Sequence, residues 1–236
     1  MTVLWGLATR LRLARLGFVT DTRGGGPEWE RYCHDLFLAG VNLILIDEPG
    51  LDRAKVQAAV QGGLRAGFGS GRIVGVAQST LPAFGVDLAH LSTLDDVEVD
   101  NDLIPLVGRP AQSNQELNRW IKDPTTAYVS VGPVRDAGET VLTRGLGLVA
   151  RAAAVAPAAD PTAKPWFATG GVDDTNFDAV WAAGARRVLV HRAIAQAADP
   201  LKTAREWANR LRLLWRDDPD LKDYGFAIRR ADRGDD

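Results

Sequence analysis

The chain reads as a (β/α)8 barrel, a single-domain α/β fold of TIM type, and three observations predict it. Eight short apolar runs alternate with helix-length amphipathic runs from one end of the sequence to the other. The cores of the short runs, such as Leu43-Ile44-Leu45-Ile46 and Tyr128-Val129-Ser130-Val131, are largely continuous. Strands buried on both faces of a parallel sheet have that character, whereas half-exposed strands alternate. The 236 residues give about 30 per βα unit, within the range of one barrel. An open doubly wound sheet shares the first two features, because pattern alone does not close a sheet.

Strands are expected at residues 16–20, 43–47, 72–76, 87–91, 103–107, 127–131, 166–169 and 187–190. Residues 29–39 are apolar at helical spacing and stop at Gly40, and a helix over 51–66 follows the Asp47-Glu48-Pro49-Gly50 turn. The stretches 78–84 and 93–101 are too short for full helices. A helix over 113–121 starts on Ser113, with Glu116 three residues on in the capping-box spacing. Helices over 145–155, 174–183 and 200–215 complete the series. The barrel is expected to occupy residues 1–215, with 216–236 a charged, helix-poor tail. Such an end is expected to be solvated, or else to clip another subunit through Tyr224, Phe226 and Ile228 in a homo-oligomer.

Composition excludes several classes. With 28 Lys and Arg against 30 Asp and Glu, the formal charge is −2, which predicts neither nucleic-acid nor membrane binding. Three histidines and one cysteine, Cys33, are too few for a Cys/His zinc site. The longest strongly apolar run, residues 41–46, is far short of the roughly 20 a spanning helix needs. The first 15 residues lack a long hydrophobic core and a cleavage site, so a mature, cytoplasmic protein is expected.

The strongest chemical signal is Pro165-Trp166-Phe167-Ala168-Thr169-Gly170-Gly171-Val172-Asp173-Asp174, where a strand ends in a glycine pair and leads into a helix. Glycines there allow positive φ and bring bare backbone N–H groups up to an anion. The eighth strand and its exit follow, Arg187-Val188-Leu189-Val190-His191-Arg192-Ala193-Ile194. Loops after strands seven and eight of a barrel commonly form a phosphate cup, to which Arg192 adds charge. A plain tight turn explains the glycine pair about as well; its position after strand seven favours phosphate. Gly132-Pro133 closes strand six as a rigid turn, and the loop from Arg135 to Arg144 is placed to cover a ligand, or is simply a polar loop. His191, beside Arg192, is a candidate acid/base with a suitable ordinary pKa. His90 is expected to pack in or beside strand four, and His34 to be structural.

Five segments, in order, resemble the thiamine-phosphate synthase family, which includes thiazole tautomerases. They are Arg15-Leu16-Gly17-Phe18-Val19-Thr20-Asp21, Ala39-Gly40-Val41-Asn42-Leu43, Gly85-Val86-Asp87-Leu88-Ala89-His90-Leu91, Val129-Ser130-Val131-Gly132-Pro133, and Pro165 to Val172 continuing into Ala183-Gly184-Ala185-Arg186-Arg187 and Arg192-Ala193-Ile194. The resemblance implies a barrel of thiamine biosynthesis whose family reaction joins a pyrimidine diphosphate to a thiazole phosphate, releases pyrophosphate and uses Mg²⁺. It also implies a phosphate site at Gly170, Gly171, Arg192 and Ala193, and a ligand pocket bounded by Gly132 and Pro133.

The sequence departs from the family where the diphosphate and metal are held. Asp47-Glu48-Pro49 replaces an Arg-Glu-Lys-like motif after strand two. Counted back from His90, the Asn-Asp pair falls on Gly75-Val76, and the Ser/Thr after strand five becomes Pro110-Ala111. The Thr-Pro-Thr-Lys-like segment becomes residues 137–140, without lysine. Asp95 keeps the Asp after strand four and is a second catalytic candidate. The expectation is a divergent member that binds a small phosphorylated ligand and in which the family's diphosphate and Mg²⁺ site is largely lost. One alternative is an active synthase whose Mg²⁺ has moved to Asp47, Glu48 and Asp95; another is a non-catalytic regulatory or scaffold subunit.

Overall fold

A computed structural model describes residues 6–77, 80, 85–92, 104–135 and 143–231. Eight parallel strands form its frame: β1 (Leu16–Thr20), β2 (Leu43–Ile46), β3 (Ile73–Ala77), β4 (Leu88–His90), β5 (Val107–Ala111), β6 (Tyr128–Val131), β7 (Trp166–Thr169) and β8 (Val188–Val190). Each pairs with the next, and β1 pairs with β8 through Leu16↔Val188, Gly17↔Leu189 and Phe18↔Val190. That last ladder closes the barrel and decides against the open sheet.

Alternate residues along each strand serve two cores, as a closed parallel barrel requires. Leu43, Leu45, Ile73, Leu88, Leu106, Tyr128, Phe167 and Leu189 fill the inside. Phe18, Ile44, Ile46, Val74, Val76, Val129 and Val190 face the helices. Gly108 makes room within the barrel, since a Cβ there would run into the Tyr128 ring.

The helices are α1 (Leu7–Leu13), α2 (Gly26–Ala39), α3 (Arg53–Gly67), α4 (Asn114–Lys122), α5 (Thr143–Val155), α6 (Phe177–Ala182), α7 (Arg192–Ala195), α8 (Pro200–Asp217) and α9 (Tyr224–Ala231). Ser113 caps α4, its hydroxyl accepting from Glu116 N at 3.2 Å. The Glu116 carboxylate reaches back to Gln112 N at 2.7 Å, one residue beyond the usual capping-box target. Along α8, Ala204, Trp207, Leu211 and Trp215 recur on one face and are buried.

Three expectations need correction. The fifth strand is Val107–Ala111, not 103–107. It carries a buried arginine, Arg109, whose guanidinium lies 5.0 Å from the Trp120 ring, so a charged residue occupies a wall position that an apolar scan avoids. Gly75-Val76 lies in the middle of β3 rather than at its exit, so the ungapped count from His90 places the Asn-Asp counterpart too early. The tail is folded as far as the described residues run. A 3-10 turn (Pro219–Leu221) leads into α9, and Trp215, Leu221, Tyr224 and Ile228 form a small core with Leu13 of α1. Tyr224 and Ile228 are therefore buried in their own chain, while Phe226 is exposed.

Arg187, at the start of β8, ties this end together. Its fully buried guanidinium donates to Arg12 O at 2.9 Å and to Tyr224 Oη at 2.9 Å. The first helix, α1, escaped the periodicity reading because Arg10 and Arg12 interrupt its apolar residues; Leu11 nevertheless enters the inner core and plugs the strands' N-terminal end.

Candidate functional site

At the opposite end, where the strands finish, lies a cleft of about 640 Å³. Val19 of β1, residues 169–173 after β7, residues 189–193 from β8 into α7, Gln196 and Arg135 line it. Gly170 and Gly171 stand at φ +75 and +78, a region other residues enter only with strain. A Cβ on Gly170 would also lie 2.6 Å from Pro133 Cα.

The loops after β6 and β7 are stitched together. Val134 N donates to Thr169 O at 2.9 Å and Arg135 N to Gly170 O at 3.0 Å. Gly132 is buried against Thr169, with no space for a side chain. Gly132 and Pro133 thus buttress the glycine pair from behind, and the cleft's lining runs from Gly170 to Arg135 without them. On the other side, buried Asn176 accepts from Asp173 N at 3.0 Å and donates to Gly171 O at 2.7 Å.

Two arginines give the cleft its charge. Arg192 opens α7, is exposed and lines the cleft with His191 and Ala193. Arg135 enters from the β6 side and is held by Asp173 Oδ2 at 3.1 Å and Thr175 Oγ1 at 3.0 Å. Burial pushes the Asp173 carboxyl up, but bonds from Thr175 and the neighbouring Arg135 charge outweigh it and hold it below the usual range. The net positive charge facing the cleft therefore rests on Arg192. Sequence reasoning treated Arg135 only as one end of a covering loop. A cation two residues after Gly-Pro was the available signal. Asp174 and Thr175 precede α6 instead of forming its first turn.

Inside the barrel, His90 ends β4 in contact with two β6 side chains. Its Nδ1 is 2.8 Å from Tyr128 Oη and its Nε2 3.2 Å from Ser130 Oγ. Burial drives its pKa down to about 4 despite the opposing Asp47 charge, so the ring is neutral at pH 7. His34 is exposed beside Asp35, and the neighbouring Cys33 thiol is buried, which raises its pKa.

The three carboxylates expected to hold Mg²⁺ are only partly brought together. Glu48 Oε2 takes two hydrogen bonds from Thr22, 2.7 Å from its N and 2.5 Å from its hydroxyl. Glu48 N donates to Thr80 Oγ1 at 2.9 Å, so this side chain and its backbone clamp three loops. Asp47 is exposed at the exit of β2, and Asp95 lies outside the described residues, as do residues 137–140. Among the described residues, no group of three His, Cys, Asp or Glu side chains is placed to hold a metal. Mg²⁺ is usually held by one or two carboxylates together with waters and substrate phosphates, and Asp47 is the expected ligand that the described residues leave at the exit of β2.

This is a (β/α)8 barrel with a cationic cleft over its seventh and eighth strands, a position at which barrels frequently hold phosphate groups. A family model described as thiamine monophosphate synthase matches residues 16–194, and the chain belongs to that family. Thiamine-phosphate synthase of Thermobifida fusca is 33% identical over 214 residues, covering 87% of this chain and 95% of the relative. That of Acidothermus cellulolyticus is 32% identical, covering 84% and 95%. Among solved structures, thiamine phosphate pyrophosphorylase from Pyrococcus furiosus matches with a TM-score of 0.66 at 16% identity, over 94% of this chain and 99% of that one. Among the described residues, no helix is long and apolar enough to cross a membrane.

Proposed function

We propose that this barrel holds the phosphate of a small phosphorylated heterocycle in the cleft over β7 and β8, and that it has lost the diphosphate half of the family's reaction. One observation carries the reading: two glycines at positive φ and Arg192, unpaired among the described residues, converge on one cleft of about 640 Å³. Backbone N–H groups of Gly171 and of the first turn of α7 would bind the phosphate oxygens, and Arg192 would neutralise them. The resemblance places a cationic clamp after β2, where this chain has Asp47 and Glu48. A diphosphate in the usual pose would meet like charge there, at a cost of about 4 kcal/mol for a 4 Å contact at an effective dielectric of 20.

A second reading, an active synthase, is favoured by the 33% identity over nearly the whole chain. It needs Mg²⁺, which would neutralise the departing diphosphate, on Asp47 and Asp95. The test mixes the protein with pyrimidine diphosphate, thiazole phosphate and Mg²⁺ and follows pyrophosphate release. Thiazole phosphate binding without turnover, weakened about tenfold or more in Arg192→Ala, is the expected result. Turnover at an enzyme-like rate overturns the proposed loss. If that turnover survives Asp47→Asn and Asp95→Asn together, the relocated metal goes too. Absence of any phosphate-ester binding leaves the scaffold alternative.

A further inference from the structure

The strands' N-terminal end carries a second cationic cleft, of about 360 Å³, between the C-terminus of α2, the starts of β1 to β3 and one face of α8. Four arginines line it: Arg15 before β1, Arg72 before β3, and Arg205 and Arg212 on α8. Among the described residues, none of the four has a carboxylate within ion-pairing distance. Surface arginines normally sit among mixed charges, so a concave site with four of one sign is unusual.

The local contacts leave most of this charge unanswered. Arg72 Nη2 donates to Phe37 O at the end of α2, at 3.1 Å, and its Nε is buried without a hydrogen-bond partner. Arg15 lies 5.5 Å from the Trp215 ring centre, and its backbone N is fixed by Asn42 Oδ1 at 2.9 Å. The C-terminal dipole of α2 makes cations tolerable here, but it accounts for no hydrogen-bond partner of Arg205 or Arg212. The charges also work against one another. Burial and then the Arg212 charge lower the Arg15 pKa, and burial and then the Arg15 charge lower that of Arg72.

We propose that this cleft is an anion site for a compact polyanion of the phosphate or diphosphate type, distinct from the cup over β7 and β8. A volume of about 360 Å³ is at the low end of small-ligand pockets, enough for a diphosphate group but not for an extended cofactor. Guanidinium groups bind phosphate oxygens in bidentate fashion, and Arg15, Arg72 and Arg212 converge from three different elements. A ligand there would cross-link the starts of β1 and β3 to α8, bracing the barrel from the face opposite the first cleft.

The probe is inorganic pyrophosphate, titrated calorimetrically into the full-length Arg192→Ala protein at constant ionic strength, so that the upper cup is weakened. One equivalent is expected to bind, and Arg212→Gln added to that background is expected to weaken it about tenfold or more. Arg212 is exposed, so the variant is expected to fold. Relief of its repulsion with Arg15 should also raise the ligand-free Tm, whereas a given pyrophosphate concentration should raise the Tm less in the variant than when Arg212 is present. Binding unchanged by Arg212→Gln, no binding in the Arg192→Ala protein, or a lowered ligand-free Tm in Arg212→Gln each overturns the proposal.

Discussion

Gly171 and His90 show how much of this barrel depends on single positions. An alanine at 171 would be forced to φ +78 with its Cβ 2.9 Å from Arg135 Cβ. The backbone term alone is about 1–2 kcal/mol, and Arg135 would be displaced from Asp173. Gly171→Ala is therefore expected to lower stability modestly and thiazole phosphate affinity severely, as denaturation and titration of one preparation would show. His90 makes a pH prediction. Its folded pKa of about 4 lies below the ordinary histidine value of 6.5, so the unfolded chain takes up a proton first as pH falls. Above about pH 6.5 neither state is protonated and the group contributes no slope. Between about pH 6.5 and 4 stability falls, by up to about 1.4 kcal/mol per pH unit from this residue. Denaturant midpoints measured over that window should fall more steeply in the wild type than in His90→Gln. Parallel profiles would mean that His90 is not the group being titrated.

Element by element, the C-terminal helix is the clearest structural addition to what the sequence suggested. Within α9, Tyr224 and Ile228 face the Trp215 and Leu13 core while Phe226 points outward. Ile228→Ala is expected to cost about 2–5 kcal/mol, and Phe226→Ser to stay within about 0.5 kcal/mol. Equal effects in chemical denaturation would contradict the helix's orientation. Most strands were legible because a wall buried on both sides, as in Leu43–Ile46, permits little but apolar residues. Strand β5 was not, because Arg109 is stacked on Trp120, a contact 11 residues away that no short window contains. The α9 helix was hidden similarly: charged neighbours dominate its composition, and its partners lie some two hundred residues earlier at Arg12 and Leu13. In the cleft, Gly170, Gly171 and Arg192 were visible as a motif at a known barrel position. Arg135 and Asn176 were not, because their roles arise only when the loops after β6 and β7 meet. The bond between Glu48 and Thr22 was hidden for the same reason, since Thr22 comes from another loop.

Across the whole molecule, the strands separate two ends that hold different kinds of order. The N-terminal end is closed by α1 and α9 and pinned by the buried Arg187, which bonds Arg12 and Tyr224. The C-terminal end is open and carries the glycine pair, Arg192 and Arg135. In barrels of this kind the second face carries the active site, and the independence of the Arg187 tie at one end from the upper cleft at the other can be measured here. Tyr224→Phe removes one partner from a buried cation, so it is expected to cost about 1–3 kcal/mol of stability and to leave thiazole phosphate affinity unchanged. Arg192→Ala, at an exposed position, is expected to do the reverse. Since the two residues share no partner and lie at opposite ends of the strands, their effects should add within about 0.5 kcal/mol in the double variant. Denaturation and titration of all four proteins would show a rectangular pattern, each substitution moving one observable only. A loss of ligand affinity in Tyr224→Phe would instead mean that the packed end sets the geometry of the open one through the strands, and that the two faces are not independent.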